Sequence, residues 1–528
     1  MSAAAEPAFD EAERLSVSRS GPLESDPSVV KAAELLQRDQ VVAFPTETVY
    51  GLGANALSST AVSKIYAAKG RPSDNPLIVH VSDREMLNSL LPNKGQTVPD
   101  MLDCLMREFW PGPLTIIFDV TRPTSTGPAA AVNAGGKDTN EDNQAWREPL
   151  NKVATEVSAG LESLAIRMPA HDLARTLIKR AGVPLAAPSA NLSSRPSPTS
   201  ATHVWNDLGK GRGVAAILDG GECLVGLEST VVDYVEPEFA LTEQDRTRGG
   251  QLRVLRAGGI SPEQLQEALE KNGFATVAGS SGIQVYNKHF KSKAIESKPT
   301  TPGMKYKHYS PTNARVVLVK PNLAGNNEDD ATLPTIQDLI SFSAFSSTTT
   351  SPFRIGLMLT DETWARIEPL SSQPLSSTSN SNDSDQISVV KLSPSKTKPQ
   401  DIPIPTPLVE PVVLRYSYGS ASDNGSVLAR RLFGGLRCLD ELDFDSVLDD
   451  ATRSLTDLSI GSVEEESLSR NDSPPTTTRI RKEGEKRKGV DVILLECVPE
   501  TGVGLAVMER SRKAAGVAGD GQGMSFRL

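Results

Sequence analysis

The 528-residue sequence is short of cysteine, of long apolar runs and of excess positive charge. Its four cysteines, Cys104, Cys223, Cys438 and Cys497, are too scattered for a zinc knuckle or a redox pair and too few for a disulfide scaffold. No apolar run approaches the length of a membrane span. The formal net charge of -11 argues against a surface that coats nucleic acid in general, so any such contact must be local.

The N-terminal segment lacks the features of a targeting peptide. Glu6, Asp10, Glu11 and Glu13 are acidic, whereas organelle presequences are poor in acidic residues. Because cysteine is also scarce, the chain fits a reducing compartment, and we expect a cytoplasmic protein. We interpret residues 1–26 as a flexible N-terminal extension.

Strand-like and helix-like patterns alternate over two parts of the chain. The first part, residues 27–282, predicts an α/β domain. It contains an insert at residues 121–150 that is rich in Gly, Ala, Asn, Asp and Pro, and we predict a loop or disordered segment there. Residues 283–311 form a linker to the second part.

The second part, residues 312–528, contains short apolar strands that alternate with helical patterns. This alternation predicts a small parallel sheet. Serine-rich segments at about residues 366–402 and 450–489 lack apolar periodicity, and we predict that they are disordered.

The most informative segment runs Phe44-Pro-Thr-Glu-Thr-Val-Tyr-Gly-Leu-Gly53. A short apolar strand precedes it, and Pro45 stops the sheet pairing so that Thr46 and Thr48 offer hydroxyls at the strand end. Open α/β sheets bind ligands beyond the carboxyl ends of their strands. We therefore interpret this segment as part of an anion site.

Two cations, Lys69 and Arg71, follow a helix predicted over residues 60–68, with Gly70 as its C-terminal cap. A purely electrostatic role is the common one, since a cation at a helix C-terminus contributes a few tenths to about 1 kcal/mol. Two prolines stiffen the loop that follows, and rigid loops present donors at little entropic cost. This favours a ligand contact.

A third cation, Arg167, lies inside the apolar strand pattern of residues 164–169. Burying a guanidinium without a partner is costly, so Arg167 faces either an internal carboxylate or an anionic ligand. His80 and His171 fit core histidines, since nothing near them has metal-ligand spacing. No protein-built zinc site is expected.

Polar residues lie at the ends of three further apolar patterns. Ser189 and Asn191 follow one strand, Ser229 lies at the start of another, and Arg256 ends a third. Structural alternatives stay open for these positions, and Thr199 is better explained as a helix cap. Ser261 with Gln264 predicts a capping box at the next helix.

The order and spacing of these segments resemble those of the YrdC/Sua5 family, threonylcarbamoyl-AMP synthase. The resemblance spans residues 29–311 apart from the insert, and the chain beyond the linker is similar to the two-domain, Sua5-type members, in which a Rossmann-like domain follows a YrdC-like twisted open sheet. The segments that carry it are Pro45-Thr-Glu-Thr-Val-Tyr-Gly-Leu-Gly53, Lys69-Gly-Arg-Pro72, Asn75-Pro-Leu-Ile-Val-His80, Phe109-Trp-Pro-Gly-Pro-Leu-Thr115, Arg167-Met-Pro169, Ala187-Pro-Ser-Ala-Asn191 and Gly226-Leu-Glu-Ser-Thr-Val-Val-Asp233.

The family implies a nucleotidyltransferase that condenses L-threonine, bicarbonate and ATP into threonylcarbamoyl-AMP and pyrophosphate. This is the first step of the t6A modification at position 37 of tRNAs that read ANN codons. By resemblance, threonine or its carbamate contacts Thr48, His80, Arg167, Ala187 and Ser229. ATP contacts Arg71, Asn75, Ser163, Ser189, Asn191, Ser197 and Arg256.

Catalysis by position and charge suits these residues, and the cations Lys69, Arg71 and Arg167 would offset repulsion between two anionic substrates. The resemblance implies Mg²⁺ bound with ATP in place of a protein metal cage. It also implies a lid from the linker, with Lys305, His308 and Tyr309 as candidates. A downstream threonylcarbamoyl-transferase complex would receive the product.

Two alternatives remain at this point. The related hydrogenase-maturation carbamoyltransferase carries Cys-x-x-Cys zinc motifs, which this sequence lacks. A module that binds double-stranded RNA or tRNA without synthase activity would need its cations on an open surface, whereas a synthase needs them in one pocket. Ala257 also departs from the family, which usually has proline after the arginine, and this weakens the ATP assignment of Arg256.

Overall fold

The computed structural model describes fourteen stretches of the chain, and all structural statements below refer to them. They are residues 9–18, 21–91, 98–120, 153–236, 250–274, 283–293, 309–322, 354–366, 369–374, 387–392, 412–418, 426–441, 490–516 and 524–527.

The chain divides into two compact units that are not continuous in sequence. Unit 1 consists of Met1–Pro311, Tyr418–Gly434 and Cys497–Gly523. Unit 2 consists of Thr312–Ser417, Gly435–Glu496 and Met524–Leu528. The division differs from the predicted boundary at residue 312, because two later segments belong with the first unit. Sequence periodicity identifies a helix but does not say which unit it packs on.

Unit 1 contains a mixed sheet of eleven strands, in the order β1-β8-β2-β3-β7-β4-β6-β5-β9-β10-β11. The strands are β1 (Glu13–Ser16), β2 (Val42–Phe44), β3 (Gly51–Asn55), β4 (Ile78–His80), β5 (Leu114–Asp119), β6 (Ser163–Arg167), β7 (Leu185–Ala186), β8 (Ala216–Asp219), β9 (Thr230–Val235), β10 (Gln251–Arg256) and β11 (Gln284–Val285).

Helices cover this sheet, and their ends follow local sequence rules. Asp26 caps the first one and accepts from the backbone N–H groups of Ser28 and Val29. Gly70 ends the second with φ of 60°, as the sequence predicts. The described helices of unit 1 are Pro27–Gln37, Ser59–Lys69, Arg84–Leu90, Asp100–Phe109, Thr155–Ser158, Asp172–Ala181, Ala201–Leu208, Pro262–Lys271 and Gly504–Ala515.

The antiparallel pair β2–β3 shows how closely the sheet is packed near the polar loop. All three residues of β2 are buried. A Cβ atom on Gly53 of β3 would lie 2.6 Å from the Phe44 ring, which is too close for any side chain. Glycine is therefore required at this position so that the Phe44 ring can pack against β3.

Two sequence predictions for unit 1 need correction. The N-terminal extension is not wholly flexible, because Glu13–Ser16 forms β1 and pairs in parallel with β8. Only Leu15 of this edge strand is buried, and one apolar residue gives no visible periodicity. The linker also contains a short strand, Gln284–Val285, which pairs with β10. The insert at residues 121–150 lies outside the described residues.

Unit 2 contains a seven-stranded sheet in the order β14-β15-β16-β13-β17-β12-β18. The five strands from β16 to β18 in this order are parallel, as predicted, whereas β14 and β15 are antiparallel additions at one edge. The strands are β12 (Arg315–Asn322), β13 (Arg354–Leu359), β14 (Pro369–Pro374), β15 (Ile387–Leu392), β16 (Val412–Ser417), β17 (Val492–Glu496) and β18 (Met524–Arg527).

Strands β14 and β15 lie within residues 366–402, which were predicted to be disordered, so that prediction is wrong for these strands. The segment Ile387-Ser-Val-Val-Lys-Leu392 is rich in β-branched residues, and the surrounding serines mask it when composition is averaged. Residues 450–489 lie outside the described residues. Helix Asp361–Arg366 lies in unit 2, and helix Ser426–Glu441 crosses the boundary at Gly434.

No helix among the described residues is long and apolar enough to cross a membrane.

Candidate functional site

A cavity of about 380 Å³ lies in unit 1, where polar loops meet the ends of the strands. Thirteen of the sixteen predicted site residues line its wall. They are Thr48, Lys69, Arg71, Asn75, His80, Arg167, Ala187, Ser189, Asn191, Ser197, Ser229, Arg256 and Tyr309.

Three predicted residues are not among those that line the cavity. Ser163 begins β6 and lies four residues before Arg167, a separation of about 13 Å along an extended strand. The two side chains share a face of the strand, but the structure does not bring Ser163 to the cavity. Lys305 and His308, two of the lid candidates, lie outside the described residues.

Arg167 is buried, with only 4% of its side chain exposed, and it has the internal carboxylate that the sequence offered as one of its two possible partners. Its guanidinium pairs with the Glu47 carboxylate at 2.5 Å and donates to the Thr48 hydroxyl at 2.9 Å and the Gly112 carbonyl at 3.2 Å. It also lines the cavity. The Glu47 carboxylate therefore holds the Arg167 guanidinium in place, while the face of the guanidinium remains available to an anion.

Glu47 was missed as a functional residue by sequence reasoning, although it lies between the two threonines that the motif singles out. Its second oxygen accepts from the Ala170 backbone N–H at 3.1 Å. The signal in the sequence that could have identified Glu47 was its carboxylate. A buried acid beside a predicted anion site requires a cation as its partner.

Arg256 forms a second anchored cation at the end of β10. It donates to the Ser229 carbonyl at 2.9 Å and to the Ser229 hydroxyl at 3.1 Å. The same hydroxyl contacts the Thr115 hydroxyl at 2.7 Å. Arg256 and Ser229 are therefore held together by neighbouring strands, although only one of them was predicted to contact ATP.

Lys69 and Arg71 are fixed by backbone carbonyls. The Lys69 ammonium donates to the carbonyl oxygens of Ser189 and Asn191, so it joins the helix end to the small polar turn after β7. Arg71 donates to the Asn75 carbonyl at 3.2 Å and the Pro76 carbonyl at 2.9 Å, which closes the rigid loop. Both side chains line the cavity. Lys69 and Arg71 therefore do not only stabilise a helix end; they also present positive charge to the cavity.

His80 is a neutral residue of the cavity wall. It lies beside Arg167 in the parallel pair β4–β6, and its Nδ1 is 3.2 Å from the Ile78 carbonyl oxygen. Burial, and next the positive charge of Arg167, lower the pKa of His80 from 6.5 to about 3. It therefore offers a neutral imidazole to a ligand at every physiological pH.

Glu228 is the only carboxylate among the residues that line this cavity, and both its oxygens have protein partners. One accepts from the Ser197 hydroxyl at 2.6 Å and the other from Arg510 at 3.1 Å. Burial by itself would raise the pKa of Glu228, but Arg510 and Arg256 lower it to about 2. It is thus a fixed anion at physiological pH.

The predicted cap at Thr199 is displaced by one residue. Ser200 caps helix Ala201–Leu208 through the His203 backbone N–H, while the Thr199 hydroxyl lies 3.3 Å from the His203 ring. The predicted capping box of Ser261 with Gln264 is present. Within the described residues, no group of three or more His, Cys, Asp or Glu side chains is placed to hold a metal ion.

Two family models match the chain. The first, described as "Telomere recombination" and covering Sua5, YciO and YrdC proteins, matches residues 34–139 and 145–244. The second, described as "Threonylcarbamoyl-AMP synthase, C-terminal domain", matches residues 260–460.

Three relatives named threonylcarbamoyl-AMP synthase are similar to a little over half of the chain. The Bacillus subtilis protein is 42% identical over 54% of this chain and 66% of its own length. The Pyrococcus abyssi protein is 37% identical over 55% of this chain and 67% of its own length. The Schizosaccharomyces pombe protein is 40% identical over 56% of this chain and 65% of its own length. The matched part is thus about two thirds of each relative.

The chain belongs to the Sua5 family of threonylcarbamoyl-AMP synthases. A solved structure of the family supports the fold: the crystal structure of P. abyssi Sua5 complexed with L-threonine is 28% identical, with a TM-score of 0.57. The structural similarity covers 98% of this chain and 99% of the P. abyssi chain. The predicted resemblance and the predicted α/β fold with a second sheet domain are confirmed.

Membership of the Sua5 family also bears on the two alternatives. The C-terminal family model is that of threonylcarbamoyl-AMP synthase and not of the hydrogenase-maturation carbamoyltransferase. The four predicted cations, Lys69, Arg71, Arg167 and Arg256, line one cavity together with a fifth, Arg195, which sequence reasoning missed. This is the arrangement that a small-molecule site requires, as opposed to an open surface for nucleic acid.

Proposed function

We propose that this chain condenses L-threonine, bicarbonate and ATP into threonylcarbamoyl-AMP and pyrophosphate. The observation that carries the proposal is the convergence of five anchored cations on one cavity. Both reactants are anions, and a field of fixed positive charge offsets their repulsion as they approach.

The threonine side of the cavity is formed by Arg167, Thr48 and neutral His80. Arg167 is oriented by Glu47 and carries the fork that pairs with a carboxylate. Thr48 and Ser229 present hydroxyls, and the related P. abyssi Sua5 was solved with L-threonine. In this chain, we assign the threonine carboxylate to Arg167.

The ATP side is formed by Arg71, Asn75, Ser189, Asn191, Ser197 and Arg256, and Lys69 lies between the two sides. The threonine amine first adds to the bicarbonate carbon, and loss of water gives the carbamate. A carbamate oxygen then attacks the α-phosphorus, a new C–O–P link forms, and the bond to the β-phosphate breaks with pyrophosphate as the leaving group. The protein forms no covalent intermediate in this scheme. Its side chains hold the two reactants in line and stabilise the charge that develops.

A Mg²⁺ ion bound with ATP fits this site as a partner of the phosphates. Glu228, the lining carboxylate, already accepts from Ser197 and Arg510, and so the wall contributes cations and hydroxyls instead of a metal cage. When bound, Mg²⁺ would offset charge on the phosphates. Hydroxyls and backbone groups of the wall orient the nucleotide around it.

Tyr309 is the lid candidate within the described residues, and it lines the cavity. Its ring is buried, and a closed aromatic wall would exclude water from a product that hydrolyses readily. We assign the product to t6A synthesis at position 37 of ANN-decoding tRNAs in the cytoplasm, with a downstream threonylcarbamoyl-transferase complex as recipient. Direct binding of tRNA is not required for this step.

The test is pyrophosphate release from ATP by the full-length protein, with threonine and bicarbonate each omitted in turn. We expect release only when all three substrates are present. Arg71→Ala should lower kcat/KM by about 10²-fold, which is typical for the loss of one charged transition-state contact.

The matched control is Arg175→Ala, which removes an arginine that pairs with Asp172 on a surface helix of the same unit. It should leave the rate within about twofold. Pyrophosphate release that does not depend on threonine would contradict the proposal, and so would an inactive protein that binds double-stranded RNA.

A further inference from the structure

Glu228 connects the cavity wall to a helix that follows 282 residues later in the chain. Its two carboxylate oxygens accept from Ser197, a cavity residue, and from Arg510 on helix Gly504–Ala515. Both partners belong to unit 1. Arg510 does not itself line the cavity, so any role in the reaction must act through the groups that it holds.

Arg510 is buried, with 1% of its side chain exposed, and two contacts of its guanidinium lie behind the cavity wall, beside longer ones to its own helix. The Nε atom is 3.1 Å from the Glu228 carboxylate. A terminal nitrogen donates to the Ala257 carbonyl at 2.5 Å, and Ala257 directly follows Arg256. One fork therefore fixes both an anion of the wall and the backbone beside a cation of the wall.

A second contact fixes the loop that carries Glu228. A Cβ atom on Gly226 would lie 2.4 Å from the Arg430 Cα atom, so helix Ser426–Glu441 approaches the loop backbone closely at its start. The Tyr309 ring stacks on Phe433 of this helix with ring centres 5.0 Å apart, and the Arg510 guanidinium carbon is 6.0 Å from the Tyr309 ring centre. All of these residues belong to unit 1.

We propose that Arg510 is a positioning residue for the ATP side of the cavity, which fixes Ser197 through Glu228 and fixes the backbone beside Arg256 through the Ala257 carbonyl. The inference rests on the proposed function and adds a residue from far beyond the linker to the synthase site. The C-terminal helix thereby supplies the cation that holds the only lining carboxylate of this cavity in place for Ser197.

The charges around Glu228 indicate what the loss of Arg510 would change. Arg510 and Lys513 face it from helix Gly504–Ala515, Arg256 from β10, and Tyr309 from the end of the linker. Burial opposes the ionised form of Glu228, and the two arginines overcome it. Without Arg510 the pKa of Glu228 rises, and a protonated Glu228 accepts less well from Ser197.

The experiment compares Arg510→Lys and Arg510→Met with wild type in full-length protein, by initial rates against ATP and against threonine over a range of pH. Arg512→Met is the matched control, because Arg512 lies on the same helix and pairs with Glu500 away from the cavity. Wild-type protein must first make threonylcarbamoyl-AMP, since a wild type without product defeats the proposed function and not this inference.

We expect Arg510→Met to raise the KM for ATP by about tenfold or more while the KM for threonine stays within about twofold. It should also add an acidic limb to the pH profile, which Arg510→Lys, with its charge retained, should not show. Arg510→Lys should still raise the KM for ATP, because an ammonium lacks the planar fork that places two donors in the geometry of these contacts.

Breaking a buried ion pair is costly, so Arg510→Met is checked for a folded state by its melting curve. If it does not fold, Arg510→Lys decides by the split between the two KM values. Unchanged KM for ATP in each folded Arg510 variant would overturn the proposal. Equal increases in both KM values would also overturn it, because they indicate a general structural role.

Discussion

The two units use their buried charges differently. In unit 1, Arg167 and Arg256 are anchored by protein partners and yet line a cavity. In unit 2, Asp440 accepts from the backbone N–H groups of Thr312, Asn313 and Ala314, at 2.6 to 2.8 Å. The carboxylate of Glu496 accepts from Thr360 and Thr363.

This comparison separates binding charges from structural ones. A buried charge needs a partner wherever it lies, so a partner alone does not mark function. The difference is whether a face of the charged group remains directed to a cavity. On this criterion Arg167 and Arg256 of unit 1 are predicted to contact substrate, while Asp440, Glu496 and the Arg354–Asp491 pair hold unit 2 together.

The largest effect is expected at Arg167. Arg167→Lys retains the charge but loses the fork that pairs with a carboxylate, so kcat/KM should fall by about 10²-fold to 10³-fold. Arg354→Lys is the matched change in unit 2, where Arg354 is also 4% exposed and pairs with Asp491. Its kcat/KM should stay within about twofold. Steady-state kinetics with ATP and threonine measure both, and equal losses in the two variants would remove the distinction between the units.

A smaller effect, on stability alone, is expected at Asp440. Asp440→Asn replaces one accepting oxygen with an amide donor that faces backbone N–H groups, which should lower the free energy of unfolding by about 3 kcal/mol. Urea unfolding measures this, with Asp361→Asn as a control, since Asp361 is a half-exposed carboxylate that pairs with Arg415. Loss of activity in folded Asp440→Asn protein would contradict a structural role.

The smallest effect concerns pH and His80. Burial and Arg167 lower the pKa of His80 to about 3, so its neutral form stabilises the fold fully above its ordinary pKa of 6.5. That stabilisation is lost as the pH falls from 6.5 toward 3. His80→Gln should therefore lower activity without changing the shape of the kcat/KM profile from about pH 5.5 to about pH 8. A limb near pH 6.5 that disappears in the variant would show that His80 titrates.

Local rules explain the parts of the site that the sequence predicted. Gly70, Ser261 and the polar turn at Ser189 and Asn191 depend on neighbours within a few residues, and the structure has each of them where expected. The resemblance to a known family then brought distant motifs together. Their contacts with ligands stay predictions until they are measured.

The remaining parts depend on contacts between distant segments. Glu47, Glu228 and Arg510 were not predicted as site residues, because their importance comes from partners 120, 31 and 282 residues away. Ser163 shows the opposite case, since the resemblance assigned it to ATP and the structure does not place it on the cavity wall. Strand β1 was missed because this edge strand has one buried apolar residue, and strand β15 was missed because the surrounding serines mask its β-branched residues.

The most direct test of the account is the identity of the product formed from ¹³C-labelled bicarbonate. Full-length protein is incubated with ATP and threonine, and the adenylate fraction is analysed by mass spectrometry. The account predicts threonylcarbamoyl-AMP that carries the label, together with one pyrophosphate for each adenylate. An unlabelled adenylate, or ATP that is converted only to ADP, would contradict it.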